Sequence, residues 1–284
     1  MIVPKIKGNS GCDLNIIEDN KTLRIIKTCK ESYLERLRKQ YEKQNDEYNY
    51  LIKNKMFIKV PDIKWENESM NMSYIYGKSF IDFFERSNID DIKNITNEII
   101  AYIENEISRS SIELVNKSIL IDKVNSTFEN AKNNAFYEES DAELFNKAID
   151  YLTYTVRGLE IELPIGQCHG DLTFSNMIFN NSGIWIIDFL DSFIETPLQD
   201  IVKLRQDTLY KWSTNMVENS YNKVRVNTVF KYIDNKITNY FKCYDWFVSY
   251  YNILQYINIL RILPYTKTKE VHDFLVKVLN KIEL

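Results

Sequence analysis

His169-Gly170-Asp171 is followed by Leu172-Thr173-Phe174-Ser175-Asn176, and a further acid, Asp188, closes the apolar run Trp185-Ile186-Ile187. An H-x-D-x-x-x-x-N loop with a second Asp after an apolar strand supplies what phosphoryl transfer requires. That reaction needs an attacking oxygen held in line, charge neutralised on the phosphates, and a carboxylate to orient the hydroxyl and take its proton. Asp171 suits the last role. Asn176 offers a neutral carbonyl oxygen to Mg²⁺, and Asp188 a carboxylate able to bridge that cation to the β- and γ-phosphates. His169 suits buttressing the loop by hydrogen bonds better than taking a proton. Taken singly, each residue reads as a turn cap or a satisfied core histidine; the joint spacing carries the chemistry.

The elements that must position these residues follow from pattern. Ile2 to Lys7, Leu14 to Ile17 and Thr22 to Lys27 are short strand-like runs, the latter two joined by the turn chemistry of Glu18-Asp19-Asn20-Lys21. Residues 31 to 53 are helical, with Leu34, Leu37, Tyr41, Tyr48 and Leu51 on one stripe. Met70 to Tyr76 reads as a strand ended by Gly77, and from about residue 78 the pattern turns helical. Asp90 or Asp91 is placed to cap a helix whose Ile92, Ile95, Ile99, Ile103 and Ile107 share a face. Helical stretches follow at 118–135 and 140–157, and Pro164 and Gly166 break the pattern before the motif. Asn176 to Asn180 and Ile184 to Ile187 form a hairpin around Asn181-Ser182-Gly183, with Asp188 at its exit. Aromatic-rich helix fills 198 to 284, broken at Pro264. The fold class expected is α+β: a small β-rich N-lobe over 1–76 and a larger, mostly helical C-lobe over 77–284.

The motif resembles that of the aminoglycoside phosphotransferase and choline kinase superfamily, relatives of protein kinases with a two-lobed fold. His169, Gly170, Asp171, Asn176 and Asp188 match it, and Pro197-Leu198-Gln199-Asp200-Ile201 is similar to the family's following segment, which implies a structural role for Asp200. More narrowly, His169 to Phe179 and Asp200 to Arg205 resemble phosphotransferases of bacterial surface-polysaccharide gene clusters. The resemblance implies that Gly8-Asn9-Ser10-Gly11 covers the phosphates with backbone N–H groups and that Lys27, at a strand end, binds phosphate. It also implies a glutamate paired with Lys27. Glu42 and Glu47 lie on the right helix, Glu47 at a fitting distance from Val60-Pro61, while Gln40 and Gln44 leave open an amide in its place. Met72-Ser73-Tyr74 matches the hinge whose backbone would bond a purine, with Met70, Met72 and Ile187 against the base or simply in the core.

Asp191 follows Asp188 by three residues where many relatives carry an acid two residues on; a second metal, the acceptor or a turn cap are open to it. With no Arg beside Asp171, no D-F-G and no A-P-E, the sequence is a poor fit to a regulated protein kinase. Acceptor contacts are expected from Asp207, Tyr210, Trp212, Trp246, Tyr250, Tyr256 and Arg261, because aromatic faces suit a sugar ring or a quaternary ammonium, though aromatic stripes are usually core. Without a dense acidic cluster there, a polycationic aminoglycoside is not favoured. The resemblance thus implies a kinase acting on a hydroxyl of a sugar or amino alcohol, with Mg²⁺ and ATP or GTP. A catalytically silent nucleotide-binding module and an antibiotic phosphotransferase are the alternatives.

A chain of 284 residues with 44% hydrophobic and 27% charged content has core enough for such a fold and is not disordered. Its net charge of −4 gives no bulk attraction to nucleic acid or anionic lipid. No apolar run approaches the roughly 18–20 residues of a membrane helix, and residues 1 to 6 hold no signal-peptide h-region. The four scattered cysteines fit reduced thiols, so a cytoplasmic protein is expected. A Ser-His-Asp hydrolase is a poor fit, since the only other histidine, His272, lies in a helical tail with no nucleophile elbow.

Overall fold

The computed structural model describes residues 12–19, 21–217 and 219–284. The strand expected at Ile2 to Lys7 and the loop Gly8 to Gly11 lie outside the described residues. In chain order the elements are β1 (Cys12–Asp19), β2 (Thr22–Cys29), α1 (Leu34–Asn54), β3 (Ile63–Glu66), β4 (Ser69–Ser73), α2 (Phe80–Arg86), α3 (Ile89–Ser108), β5 (Ser111–Asn116), α4 (Ser118–Ala131), α5 (Asp141–Asp150), β6 (Glu160–Ile165), β7 (Met177–Asn180), β8 (Gly183–Ile186), α6 (Pro197–Thr208), α7 (Lys223–Phe241), α8 (Asp245–Leu260) and α9 (Lys269–Leu279). They form two compact units that are discontinuous in sequence. The first holds the described residues up to Tyr102 together with His169–Ser192 and Tyr221–Val226; the second holds Ile103–Cys168, Phe193–Ser220 and Asn227–Leu284. In this division residues 77–102 and the His169–Asn176 motif fall with the first unit.

The first unit is built on an antiparallel sheet in the order β1-β2-β4-β3. Cys12 pairs with Cys29 and Asp19 with Thr22 across the hairpin, as the turn residues predict. Helix α1 packs Leu37 onto Ile63, Met70 and Met72. Beside that apolar contact it buries a polar row, Gln40, Gln44 and Glu47, which is unusual for a helix face. The strand expected at 70–76 is shorter than its apolar run, ending at Ser73, because the backbone leaves the sheet once β4 has paired with β2 and β3. β7 and β8 form the expected hairpin, and Lys78 exchanges two backbone hydrogen bonds with Phe179, at 2.8 and 3.0 Å. Gly77 makes this approach possible: a Cβ there would stand 2.4 Å from Ile178 Cγ2 and 2.8 Å from the Phe179 carbonyl oxygen. The stack of Phe83 on Phe179, at 4.6 Å, seats α2 on the same hairpin.

In the second unit β5 and β6 form a two-stranded antiparallel sheet that periodicity conceals. Ile112 and Leu114 face outward at 60% and 62% exposure while Val115 is buried, so the apolar residues fall on the wrong face. Pro164 lies inside β6, where a two-stranded sheet leaves an edge that needs no donor. The helix expected over 140–157 is α5 followed by a wider, π-type turn at Tyr151–Thr155. The cap of α3 is Asn88 rather than Asp90 or Asp91: its Oδ1 accepts from both of their amides, and Asp91 accepts from the Asn88 amide in return. Helix α8 is buried at every position from Ile253 to Leu260 and packs against α6, α9, α4 and α5. Among the described residues no helix is long and apolar enough to cross a membrane.

Candidate active site

Local backbone chemistry brings the motif residues together within the first unit. The loop starting at His169 and the turn after β8 are joined by three hydrogen bonds: Leu190 N–H to the His169 carbonyl at 3.0 Å, Ile187 N–H to the Asn176 carbonyl at 3.0 Å, and His169 Nε2 to the Ile187 carbonyl at 3.0 Å. Gly170 is required at the crossing. Its φ is +84°, and a Cβ there would lie 2.2 Å from the Leu190 carbonyl oxygen. Asp188 itself takes the left-handed conformation, with φ of 64°, which turns its carboxylate out of the line of β8.

His169 is fully buried, and its Nδ1 accepts from the Asp171 amide at 3.2 Å. With Nδ1 accepting, Nε2 carries the hydrogen donated to Ile187. Burial lowers the ring's pKa to about 4, with the Asp171 carboxylate opposing that shift and the Lys43 ammonium adding to it. A neutral imidazole bonded on both sides orients the Asp171 backbone and has no vacancy for a substrate proton. Both ring nitrogens of His169 are thus engaged in holding the loop.

Asp171 is half-buried, and Asn176 Nδ2 donates both to its carbonyl at 2.8 Å and to its Oδ2 at 3.0 Å. That commits the amide's N–H groups to the acid and leaves Asn176 Oδ1 as a donor for a cation. Asp188 Oδ1 accepts from Lys27 Nζ at 2.7 Å, and the Asp188 side chain keeps 37% of its surface open. Among the described residues no three His, Cys, Asp or Glu side chains are arranged to hold a metal ion. The donor set nevertheless fits Mg²⁺, which takes oxygen ligands from one or two protein groups and completes its shell with phosphate and water.

Lys27 is 4% exposed, and besides Asp188 it donates to Gln40 Oε1 at 3.1 Å. The helix partner of the strand lysine is thus an amide. Glu47, expected there, lies two turns further along α1 and does not pair with Lys27; the chain puts the negative partner on Asp188 instead. Sequence reasoning missed Lys43, whose Nζ donates to the Leu190 carbonyl at 2.7 Å. Its only sequence signal is spacing, three residues after Gln40 on the same helix.

The segment expected to meet a purine is partly occupied by the sheet. Ser73 N–H donates to the Asp62 carbonyl and Tyr74 N–H to the Leu23 carbonyl, so those donors are committed, and the chain leaves the sheet at Ile75 to Gly77. Met70 and Met72 are core residues at 2% and 7% exposure. Asp191 is exposed, three residues past Asp188.

The expected acceptor residues belong to the second unit. Asp207 is fully buried with Oδ1 accepting from the Ser213 amide at 2.9 Å, so it shapes the turn after α6 and presents no acid to solvent. Trp246 is 7% exposed and stacked on Tyr244 at 4.9 Å, also a packing role. Tyr256 is buried with its hydroxyl on the Leu144 carbonyl. Arg261 lies over the Phe193 ring at 4.8 Å, and Tyr210 is half-buried, its hydroxyl pKa raised by burial. Asp200 is fully buried in α6 behind the Thr196 cap and Pro197.

Residues 124–223 match the model of a phosphotransferase enzyme family, APH, and that stretch contains His169, Asp171, Asn176, Asp188 and Asp200. No curated protein is a significant match to the sequence. Among solved structures the chain is similar to an ADP-bound aminoglycoside phosphotransferase, with a TM-score of 0.54 and 16% identity over 97% of this chain and 90% of that one. It is similar to a choline kinase from Streptococcus pneumoniae, with a TM-score of 0.56 and 13% identity over 97% and 92% of the two chains. An amicoumacin kinase solved with AMP-PNP and Ca²⁺ gives a TM-score of 0.58 and 12% identity over 97% and 86%. At these identities the likeness establishes the fold: α+β, of the kind shared by these phosphotransferases and small-molecule kinases.

Proposed function

We propose that this chain, which carries a phosphotransferase-family region on that fold, transfers the γ-phosphate of ATP or GTP to a hydroxyl of a small molecule. What supports the proposal is the zipped pair of segments, 169–176 and 187–190, which carry Asp171 with its Asn176 amide and the Lys27-paired Asp188. Asp171 orients the acceptor hydroxyl and takes its proton, with Asn176 holding the carboxylate in one rotamer. Asn176 Oδ1 and Asp188 would hold Mg²⁺, which when bound neutralises charge on the β- and γ-phosphates. Lys27, withdrawn from solvent between Gln40 and Asp188, supplies a fixed positive charge for the donor's phosphates. Gly8 to Gly11 would cover those phosphates, and Ile75 to Gly77 would meet the base.

The acceptor is a sugar or amino alcohol destined for a surface glycan, with Asp191, Tyr210 and Arg261 the residues we assign to it. An antibiotic acceptor is the second reading, because solved neighbours include an aminoglycoside phosphotransferase and an amicoumacin kinase. A screen of sugars, amino alcohols and antibiotics with γ-labelled ATP and GTP tests the proposal. Label should transfer to one acceptor class, and Asp171→Ala should abolish transfer while nucleotide binding and thermal stability stay near wild type. Unchanged turnover in Asp171→Ala, or nucleotide binding with no consumption across the panel, rejects it in favour of a silent binding module.

A further inference from the structure

Helix α1 carries a buried polar row where a purely structural helix would carry aliphatic residues. Gln40, Lys43, Gln44 and Glu47 are spaced as one helical face, and Gln40, Gln44 and Glu47 are 3%, 0% and 1% exposed. Two of the four reach the metal-side segment from opposite ends. Gln40 contacts it through Lys27, whose ammonium is shared with Asp188 Oδ1. Lys43 contacts it directly, at 2.7 Å from the Leu190 carbonyl oxygen. The Lys43 ammonium also lies 3.4 Å from where a Gly170 Cβ would be, against the very crossing where the two catalytic segments meet. Gln44, between them, has neither amide atom hydrogen-bonded among the described residues. A buried amide left unsatisfied is costly, so this face is not optimised as core alone.

We propose that Lys43 is a positioning residue for the divalent cation: by donating to the Leu190 carbonyl it pins the Asp188–Leu190 turn to α1 and so fixes where the Asp188 carboxylate stands. The proposal rests on the kinase reading above only for the identity of what Asp188 holds. The argument is geometric. Asp188 sits in a left-handed conformation, one that Asp tolerates better than most L-residues but that its neighbours must still hold in place. Two residues later, Leu190 gives its N–H to His169 while its carbonyl accepts from Lys43, so the peptide units on both sides of Leu190 are fixed. Removing the ammonium releases the carbonyl side of the turn and lets Asp188 relax toward ordinary backbone angles. An ammonium on α1 thus does through a carbonyl what a glutamate would do through an ion pair with Lys27.

The test compares Lys43→Met, Lys43→Gln and Lys43→Arg with wild type by Mn²⁺ binding in the presence of AMP-PNP, read by electron paramagnetic resonance. AMP-PNP binding without divalent cation and hydrogen exchange of the 186–192 peptide complete the set. Lys43→Met and Lys43→Gln should weaken Mn²⁺ binding by about tenfold or more, the scale of losing a group that orients a metal ligand. They should also speed exchange at 186–192 and leave cation-free nucleotide binding within about twofold of wild type, a split a merely structural residue would not give. Lys43→Arg should restore Mn²⁺ affinity and protection. Mn²⁺ affinity equal to wild type in both neutral variants overturns the proposal, as does equal loss of cation-free nucleotide binding. Should wild type itself bind no Mn²⁺ with nucleotide, the kinase reading fails, and unchanged exchange at 186–192 in the neutral variants then overturns the Lys43 bridge separately.

Discussion

The chain has two histidines, one in each unit, both buried, and they are used in opposite ways. His272 on α9 bonds through Nε2 to Asp141 Oδ2 at 2.9 Å, an acid that also accepts from the Glu138 amide at the start of α5. Polar groups in that unit close on one another in the same way. Gln199 and Asn258 exchange amide hydrogen bonds at 2.7 and 3.0 Å, and Arg205 and Thr208 share Asp234. His169 instead bonds to backbone, at Ile187 and Asp171, and Asp171 and Asp188 beside it are only half-buried. A buried polar residue therefore marks a site only when the network it belongs to ends at a solvent-facing group. Closed pairs hold a core together.

This contrast can be broken at its joints. The largest effect is expected at Gly170→Ala, where the new methyl would meet the Leu190 carbonyl and the residue would be forced to hold φ of +84°. Turnover should fall by about two orders of magnitude or more as the loop loses its crossing with 187–190, with a stability loss of about 3 kcal/mol. Near-normal kcat in that variant would mean the crossing does not set the geometry.

Next comes acid sensitivity. Because burial lowers the His169 pKa from 6.5 to about 4, the unfolded chain takes up this proton first as pH falls. Its contribution to stability is whole above pH 6.5 and is lost as pH falls toward 4, about 3 kcal/mol over the window. Urea unfolding of wild type and His169→Gln across that range should show the variant's stability falling less steeply; parallel curves would contradict a neutral, buried ring.

The smallest effect is expected in the closed network. His272→Leu should cost about 2 kcal/mol by leaving Asp141 short of a partner, yet kcat per folded molecule should not change. A fall in kcat at full folding would show that the closed pairs also serve the chemistry.

The turn at 169–176 was legible because its logic is local. The His, Gly, Asp and Asn positions lie within one turn-forming stretch, and the hairpin carrying Asp188 follows at once. The helix partner of Lys27 was legible only as a choice among Gln40, Gln44, Glu42 and Glu47, since facing residues on a helix and a strand depend on a register that sequence does not encode. Lys43 was invisible for a stronger reason: it acts on a backbone carbonyl 147 positions away, and any residue type at 190 offers one. Two of the residues expected around the acceptor are buried. Asp207 and Trp246 have the right chemistry but face their own unit's core. β5 escaped notice because Ile112 and Leu114 point outward, the reverse of what alternation assumes.

Gly77 makes the segment leaving β4 and the strand after Asn176 one mechanical part of the first unit. Any substituent there must displace Ile178 or the Phe179 carbonyl, and Ile178 lies only two positions beyond Asn176, in the strand that follows it directly. A methyl at residue 77 would press on the strand that follows Asn176, so a change at that one position would be felt by the amide that hydrogen-bonds Asp171.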